Sequence, residues 1–254
     1  MTDEVLASVS AHIAEIVLNR PQKHNAVTRE MAARLQEICS GFDRDDDVRV
    51  VLIKGAGERA FSSGSDLNAL AQYPTAWAFR NRVVYENVIR NIRKPVVAAL
   101  KGWVLGGGGE MALAADIRVA GRSVKMGFPE ITRGWVGGGG ASQMLPRLVG
   151  YGQAMRLLMT GEPIGAEEAY RLGLVEYLVD DADVEATARA LCERLATFSP
   201  VALQAVKASV RAALSGLDAG LRYENEMNTL CFSARDHMEG IRAFNEGRAA
   251  DFKR

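Results

Sequence analysis

Apolar and polar positions change their period several times along the chain, and the changes set out its elements. Residues 5–9 and 14–18 alternate or run apolar and read as two strands joined by a short turn. A polar loop, LNRPQKHNAVT, follows. Thr28 is placed to cap a helix whose apolar positions are Met31, Leu35, Ile38 and Phe42. The acidic run 43–47 reads as a solvated turn, and RVVLIKG (49–55), rich in β-branched residues, reads as a buried strand. AFSSGSDL (60–67) is a glycine-containing loop behind that strand. Val84, Val88 and Ile92 recur at helical spacing up to Arg93, with Pro95 as the stop.

Residues 96–130 form the stretch around which the rest is arranged. An apolar run (96–100) precedes four glycines (106–109), and Glu110 opens a short apolar helix, EMALAA. Strand, glycine loop and helix in that order aim free backbone N–H groups into the loop. Glycine also lets a ligand approach the backbone closely. IRVA then reads as a strand, and a second carboxylate, Glu130, stands behind Gly127 and Pro129. A helix of about 9 Å and a strand of about 13 Å running oppositely would return Glu130 to the neighbourhood of Glu110. Two carboxylates beside a nest of N–H donors suit proton transfer. Beyond them come a second glycine run (137–140) with a helix, a helix over 151–159 apolar enough to be buried, and a turn, short helix and strand ending at Val179. From Asp183 onward nearly everything is helical, punctuated by Pro200 and Gly216. This divides the chain into an α/β core, 1–182, and a helical region, 183–254. No internal repeat recurs at a fixed period.

Charge narrows the choice of partner. Lys plus Arg equals Asp plus Glu at 31 each, which argues against a nucleic-acid partner. Cys39, Cys192 and Cys231 lie far apart and make neither a metal spacing nor a disulfide framework, as expected of thiols in a reducing compartment. No apolar run reaches the roughly 18 residues of a membrane span. The start, MTDEVLASV, has neither a signal-peptide nor a transit pattern, so a cytoplasmic protein with no membrane partner is expected.

Each motif taken alone has a bland reading. Four glycines are a tight packing turn as readily as a binding loop. Neither run ends in the Gly-Lys-Ser/Thr of a phosphate loop, and no GxGxxG follows the first strand. Glu110 alone is an ordinary helix-start carboxylate facing the dipole, and Glu130 alone a surface loop residue. None of His12, His24 and His237 sits in a context that suggests a triad.

The blocks together carry a resemblance. AFSSGSDL, KPVVAALKGWVLGGGGEMALAAD, GFPE and GWVGGGGASQMLPRLVG, with LNRPQKHNAV near the start and EGIRAFNEGRAADF at the end, resemble the successive blocks of the crotonase (enoyl-CoA hydratase/isomerase) family. The resemblance covers nearly the whole chain, in order. It implies a spiral of ββα turns forming two roughly perpendicular sheets, then a helical trimerisation region, so a homotrimer or a dimer of trimers. It implies an acyl-CoA substrate of the kind met in fatty-acid metabolism, with no separate cofactor and no metal. The backbone N–H groups of Ser65 and Gly107 would form the oxyanion hole, and Ser65, Asp66, Leu67, Asn68 and Gly107 would bind the substrate.

Both positions that hydratases of the family fill with glutamate are filled here, by Glu110 and Glu130, whereas simple isomerases typically keep the later one. A dehalogenase-like relative would want a carboxylate where Gly138 stands. Hydration of an enoyl-CoA is therefore the implied reaction. The alternatives are an isomerase or another lyase of the family on an unusual acyl group, and a CoA-thioester-binding protein without catalysis. Five positions depart from the family pattern. Ser65 replaces alanine, Gly109 replaces a common cysteine, and the GTIPG-type loop is GWVGG, with bulky Trp135 and with Gly137 for proline. Gly247 removes a lysine that helps bind CoA phosphates, leaving Arg248 to compensate.

Overall fold

The computed structural model describes residues 3–213, 221, 223–224, 226–230 and 236–252. Its first two strands, β1 (Val5–Ser10) and β2 (Ile13–Leu18), pair antiparallel across a two-residue turn in which Ala11 and His12 both take positive φ (48° and 65°). That is the backbone a tight hairpin needs. Helix α1 (Arg29–Arg44) starts where expected: the Thr28 hydroxyl accepts the Met31 N–H at 3.2 Å. Met31, Leu35 and Ile38 are buried on one face of α1, and Phe42 packs half-buried beside them.

Next come β3 (Val50–Gly55) and β4 (Ala60–Ser62), so the first residues of the expected 60–67 loop are a strand. Three short helices follow: α2 (Leu67–Ala71), α3 (Ala76–Arg80) and α4 (Tyr85–Arg90). The last is shorter than the 84–93 spacing suggested, ending at Arg90 rather than at Arg93. The chain continues with β5 (Val96–Leu100), β6 (Trp103–Leu105), α5 (Gly107–Ala114), β7 (Ile117–Gly121) and β8 (Lys125–Gly127). After a 3-10 turn (Pro129–Arg133) come α6 (Ala141–Val149), α7 (Tyr151–Thr160), β9 (Ile164–Gly165), α8 (Ala166–Arg171) and β10 (Tyr177–Val179). Helices α9 (Val184–Ala196), α10 (Pro200–Ala212) and α11 (Asp236–Glu246) follow.

The strands form a six-stranded sheet, β1-β2-β3-β5-β7-β10, and a four-stranded sheet, β4-β6-β8-β9. Three times in succession the chain contributes one strand to the larger sheet and the next to the smaller, then turns into helix: β3–β4, β5–β6 and β7–β8. The turns of this spiral have unequal helical insertions, which is why no fixed period shows in the sequence.

Along β3 and β5 the side chains alternate between two apolar environments. Val51, Ile53, Val96, Ala98 and Leu100 face the main core, while Val50, Leu52, Val97 and Ala99 face a second cluster. Both faces of these parallel strands are therefore covered, which accounts for their unbroken apolar runs. The cover on the second face is α9, whose buried residues Val184, Ala188, Cys192 and Ala196 repeat every fourth position. The boundary expected at 182/183 thus precedes a helix that packs on the large sheet. Cys39 and Cys192 are buried free thiols, and Cys231 lies outside the described residues, as does Gly216.

Helix α7 corrects an expectation. Ala154 and Leu157 are buried, but Tyr151 and Met159 are 73% and 64% exposed, so the helix is amphipathic rather than buried. Its apolar composition is split between the core and an outward face.

Candidate active site

Helix α5 begins at Gly107, not at Glu110, so three glycines occupy its first turn and Glu110 closes that turn. Glycine is a poor helix former; close neighbours explain its presence here. A Cβ on Gly107 would lie 2.0 Å from the Tyr85 hydroxyl, one on Gly108 2.2 Å from the Ser62 carbonyl oxygen, and one on Gly109 2.8 Å from the Phe128 ring. The family's cysteine at position 109 would therefore need Phe128 to move. Gly106, the residue before the helix, has φ 53° and ψ −125°, a backbone that only glycine takes readily.

The loop after β4 lies against the start of α5: a Cβ on Gly64 would stand 2.8 Å from the Gly107 nitrogen. Val27 N–H donates to the Gly64 carbonyl and Asp66 N–H to the Val27 carbonyl, at 2.8 and 2.9 Å, which fixes the loop on both sides of Ser65. Among the described residues, neither the Ser65 N–H nor the Gly107 N–H finds an acceptor. Both amides are thus open donors. The Ser65 hydroxyl is engaged separately, 2.9 Å from the Tyr85 hydroxyl. Asp66 caps α2 by accepting the Asn68 and Ala69 N–H groups and pairs with Arg20 at 2.7 Å. The Arg20 hydrogen bond, more than the capped amides, holds the Asp66 carboxyl below the usual carboxylate range.

Glu110 is buried, and its Oε1 accepts the N–H groups of Gly139 and Ala141 at 2.9 and 3.0 Å. Those amides come from the second glycine run and the first residue of α6. A Cβ on Gly137 would lie 2.6 Å from Glu110 Oε1, one on Gly138 2.6 Å from Arg82 Nη2, and one on Gly139 2.5 Å from the Glu86 carboxyl carbon. The run is glycine because charged side chains press against it at every step. A proline at 137, the residue usual in the family, would collide with Glu110 as it stands here. Gly140, at φ 118°, then turns the chain into α6.

Glu130 returns to this region as expected, but by another route. The short strand β8, absent from the sequence reading, carries the chain back along the smaller sheet and the 3-10 turn presents the carboxyl. A Cβ on Gly106 would lie 3.0 Å from Glu130 Oε1, and Glu130 Oε2 is buried without a hydrogen-bond partner among the described residues. Burial raises the Glu130 carboxyl above its ordinary range, and the Glu110 charge pushes the same way.

Ser65, Asp66, Leu67, Asn68, Gly107, Glu110 and Glu130 all line one cavity of about 950 Å³. Phe79, Trp135 and Val136 give it apolar walls, with the Phe79 and Trp135 rings 5.8 Å apart. Lys23, Arg80, Arg82 and Arg133 add positive charge. Arg248, the residue next to Gly247, pairs with Glu239 and Glu246, each at 2.6 Å.

One residue on the cavity escaped the sequence reading. Glu86, on α4, is 5% exposed and faces Glu110 across the Gly139 backbone. Burial first, and then the Glu110 charge, push its carboxyl up to about 7. In sequence it is a polar position among Val84, Val88 and Ile92; nothing local marks it as buried.

The family model described as "Enoyl-CoA hydratase/isomerase" matches residues 8–254. The chain is 35% identical over 252 residues to an (E)-benzylidenesuccinyl-CoA hydratase of Thauera aromatica, covering 98% of both chains. It is 32% identical over 250 residues to a short-chain-enoyl-CoA hydratase of Clostridium acetobutylicum, covering 97% of this chain and 96% of that one. Among solved structures, an enoyl-CoA hydratase from Bacillus anthracis superposes with a TM-score of 0.93 at 32% identity, covering 99% of each chain.

Proposed function

The chain belongs to the enoyl-CoA hydratase/isomerase family, and we propose on that premise that it adds water across the 2,3 double bond of an enoyl-CoA thioester. The observation that carries this reading is the meeting, on one cavity, of two acceptor-free amides and two differently held glutamates.

The thioester carbonyl oxygen sits between the Ser65 and Gly107 N–H groups. As water attacks the β-carbon, its oxygen forms the new C–O bond and the π electrons move through the α-carbon onto that carbonyl oxygen. Preorganised amides stabilise this enolate-like charge, each worth roughly 3–4 kcal/mol. Glu110 takes the proton that water loses: two amides engage its Oε1, leaving Oε2 to accept from the water. Glu130 supplies a proton to the α-carbon as the enolate collapses. Its raised affinity for a proton and its unpartnered Oε2 suit a donor. Each proton transfer contributes about 10²–10⁴-fold.

Ser65, Asp66, Leu67 and Asn68 line the route of the CoA chain, and Lys23, Arg80 and Arg133 supply charge for its phosphates. Phe79 and Trp135 wall the acyl end. A homotrimer, or a dimer of trimers, accords with the outward apolar residues of α7, with Val206 and Val210 on α10, and with Phe244 on α11, which is 86% exposed. Among the described residues no helix is long and apolar enough to cross a membrane, and the reading places the enzyme in the cytoplasm.

Incubation with crotonyl-CoA, followed by loss of the conjugated thioester absorbance, tests the reaction. Hydration is expected. A panel of branched, aromatic and alicyclic enoyl-CoAs then ranks the acyl groups, and failure to hydrate any of them would overturn the assignment.

A further inference from the structure

Glu86 stands where the two halves of the site meet. Above Gly107, one point lies 2.0 Å from the Tyr85 hydroxyl and 2.7 Å from Glu86 Oε1. Above Gly139, another lies 2.5 Å from the Glu86 carboxyl carbon and 2.8 Å from Glu110 Oε2. The carboxyl of Glu86 thus lies beside Tyr85 on the amide side of the site and beside the Glu110 carboxyl on the water side. Tyr85 is buried in turn and meets the Ser65 hydroxyl at 2.9 Å, so a line of polar groups runs Ser65–Tyr85–Glu86 beside the two amides.

We propose that Glu86 is a positioning residue for the hydration reaction and works in its proton-bearing form, holding Tyr85 and Ser65 in place while adding no charge beside the enolate oxygen. The inference rests on the hydratase reading above. Its physical basis is the sign of the charge. An ionised Glu86 would oppose the negative charge that develops at the thioester oxygen, and would share a small buried volume with the Glu110 carboxylate. A neutral Glu86 leaves Glu110 as the carboxylate facing the water.

The groups facing Glu86 decide where it gives up its proton. Glu110, on α5, disfavours its ionisation. Arg82 and Arg90, before and within α4, favour it, as does the Tyr85 hydroxyl. The 137–140 loop on the remaining side brings backbone without charge. With burial the largest influence, the midpoint falls at about 7. Turnover should then decline about tenfold per pH unit on the alkaline side, because the working fraction declines at that rate.

The test is the pH profile of kcat for hydration by the wild type, Glu86→Gln and Tyr85→Phe. Glu86→Gln is expected to cost a few-fold below the midpoint and to remove the part of the alkaline decline that sets in near 7, leaving the part that follows loss of the Glu130 proton. Tyr85→Phe removes a hydrogen bond that favours the ionised form, so it should move the decline to higher pH. An unchanged decline in Glu86→Gln would overturn the proposal. So would a loss of more than about 10²-fold at every pH, which would make Glu86 a proton-transfer group instead. Infrared difference spectra across pH 7 keep this distinct from the hydratase assignment. A protonated-carboxyl band that disappears with rising pH, and is missing from Glu86→Gln, is expected whether or not crotonyl-CoA is turned over. Its absence from the wild type would overturn the proposal without touching the reaction.

Discussion

Two runs of four glycines, 106–109 and 137–140, are identical in sequence and opposite in what their amides do. The first opens α5 and, among the described residues, leaves the N–H groups of Gly107 and Ser65 without an acceptor. The second spends its Gly139 N–H, with that of Ala141, on Glu110 Oε1. One run leaves a donor open and the other fixes a carboxylate. In both, absence of a Cβ is demanded by a close neighbour: the Tyr85 hydroxyl at Gly107, and Glu86 with Glu110 at Gly139. A glycine count therefore says little about chemistry until the neighbours are known.

The most damaging way to break the first run is to take away its donor. Proline is sterically at home in the first position of a helix, so Gly107→Pro removes an N–H without breaking α5. Any side chain there also meets Tyr85. Placing Gly107→Pro and Gly107→Ala each in a Tyr85→Phe background separates crowding from the lost donor. The proline variant should fall below the alanine variant by roughly 3 kcal/mol in transition-state stabilisation, read as about 10²-fold in kcat/KM. Equal rates would remove Gly107 from the oxyanion hole.

Gly139→Ala attacks the second run and is expected to do less. It keeps the N–H but pushes a methyl against Glu86 and Glu110. Overpacking of this kind costs typically 1–3 kcal/mol of stability. A displaced Glu110 should reduce kcat by about ten- to a hundredfold with KM less affected. Thermal melting and steady-state kinetics measure the two together, and wild-type values in both would show that the loop yields freely.

Ser65→Ala should do least. The donor at this position is backbone, so turnover should stay within a few-fold. Loss of the 2.9 Å bond to Tyr85 should cost about 1 kcal/mol of stability in a denaturant titration. A loss of activity as large as that of the proline variant would give the hydroxyl a direct part in the reaction.

How much of this was legible before the structure follows from where each signal resides. Strands β3 and β5 announced themselves because both faces are buried, which leaves no room for polar residues. Thr28 announced α1 by a local bond. The start of α5 did not show, since glycine disfavours helix and only tertiary contacts at residues 107–109 explain it. Strand β8 is three residues long, too short for any period to register. The amphipathic character of α7 was hidden by apolar residues on its outward face. For the site, Glu110, Glu130, Ser65 and Gly107 came from the order of the motif blocks, and the fold sets them on one cavity. Glu86 stayed hidden because the loop that buries it lies some fifty residues further along the chain.

The paired role of the two glutamates is tested most directly by comparing hydration of crotonyl-CoA by Glu110→Gln and by Glu130→Gln. Glutamine keeps shape and hydrogen-bonding capacity but cannot exchange the proton. Each variant is expected to turn over about 10²–10⁴-fold more slowly than the wild type, with acyl-CoA affinity nearly unchanged. Near-normal hydration by Glu110→Gln, alongside its abolition in Glu130→Gln, would contradict the paired mechanism in favour of a one-glutamate site; wild-type rates in both would remove the glutamates from the chemistry.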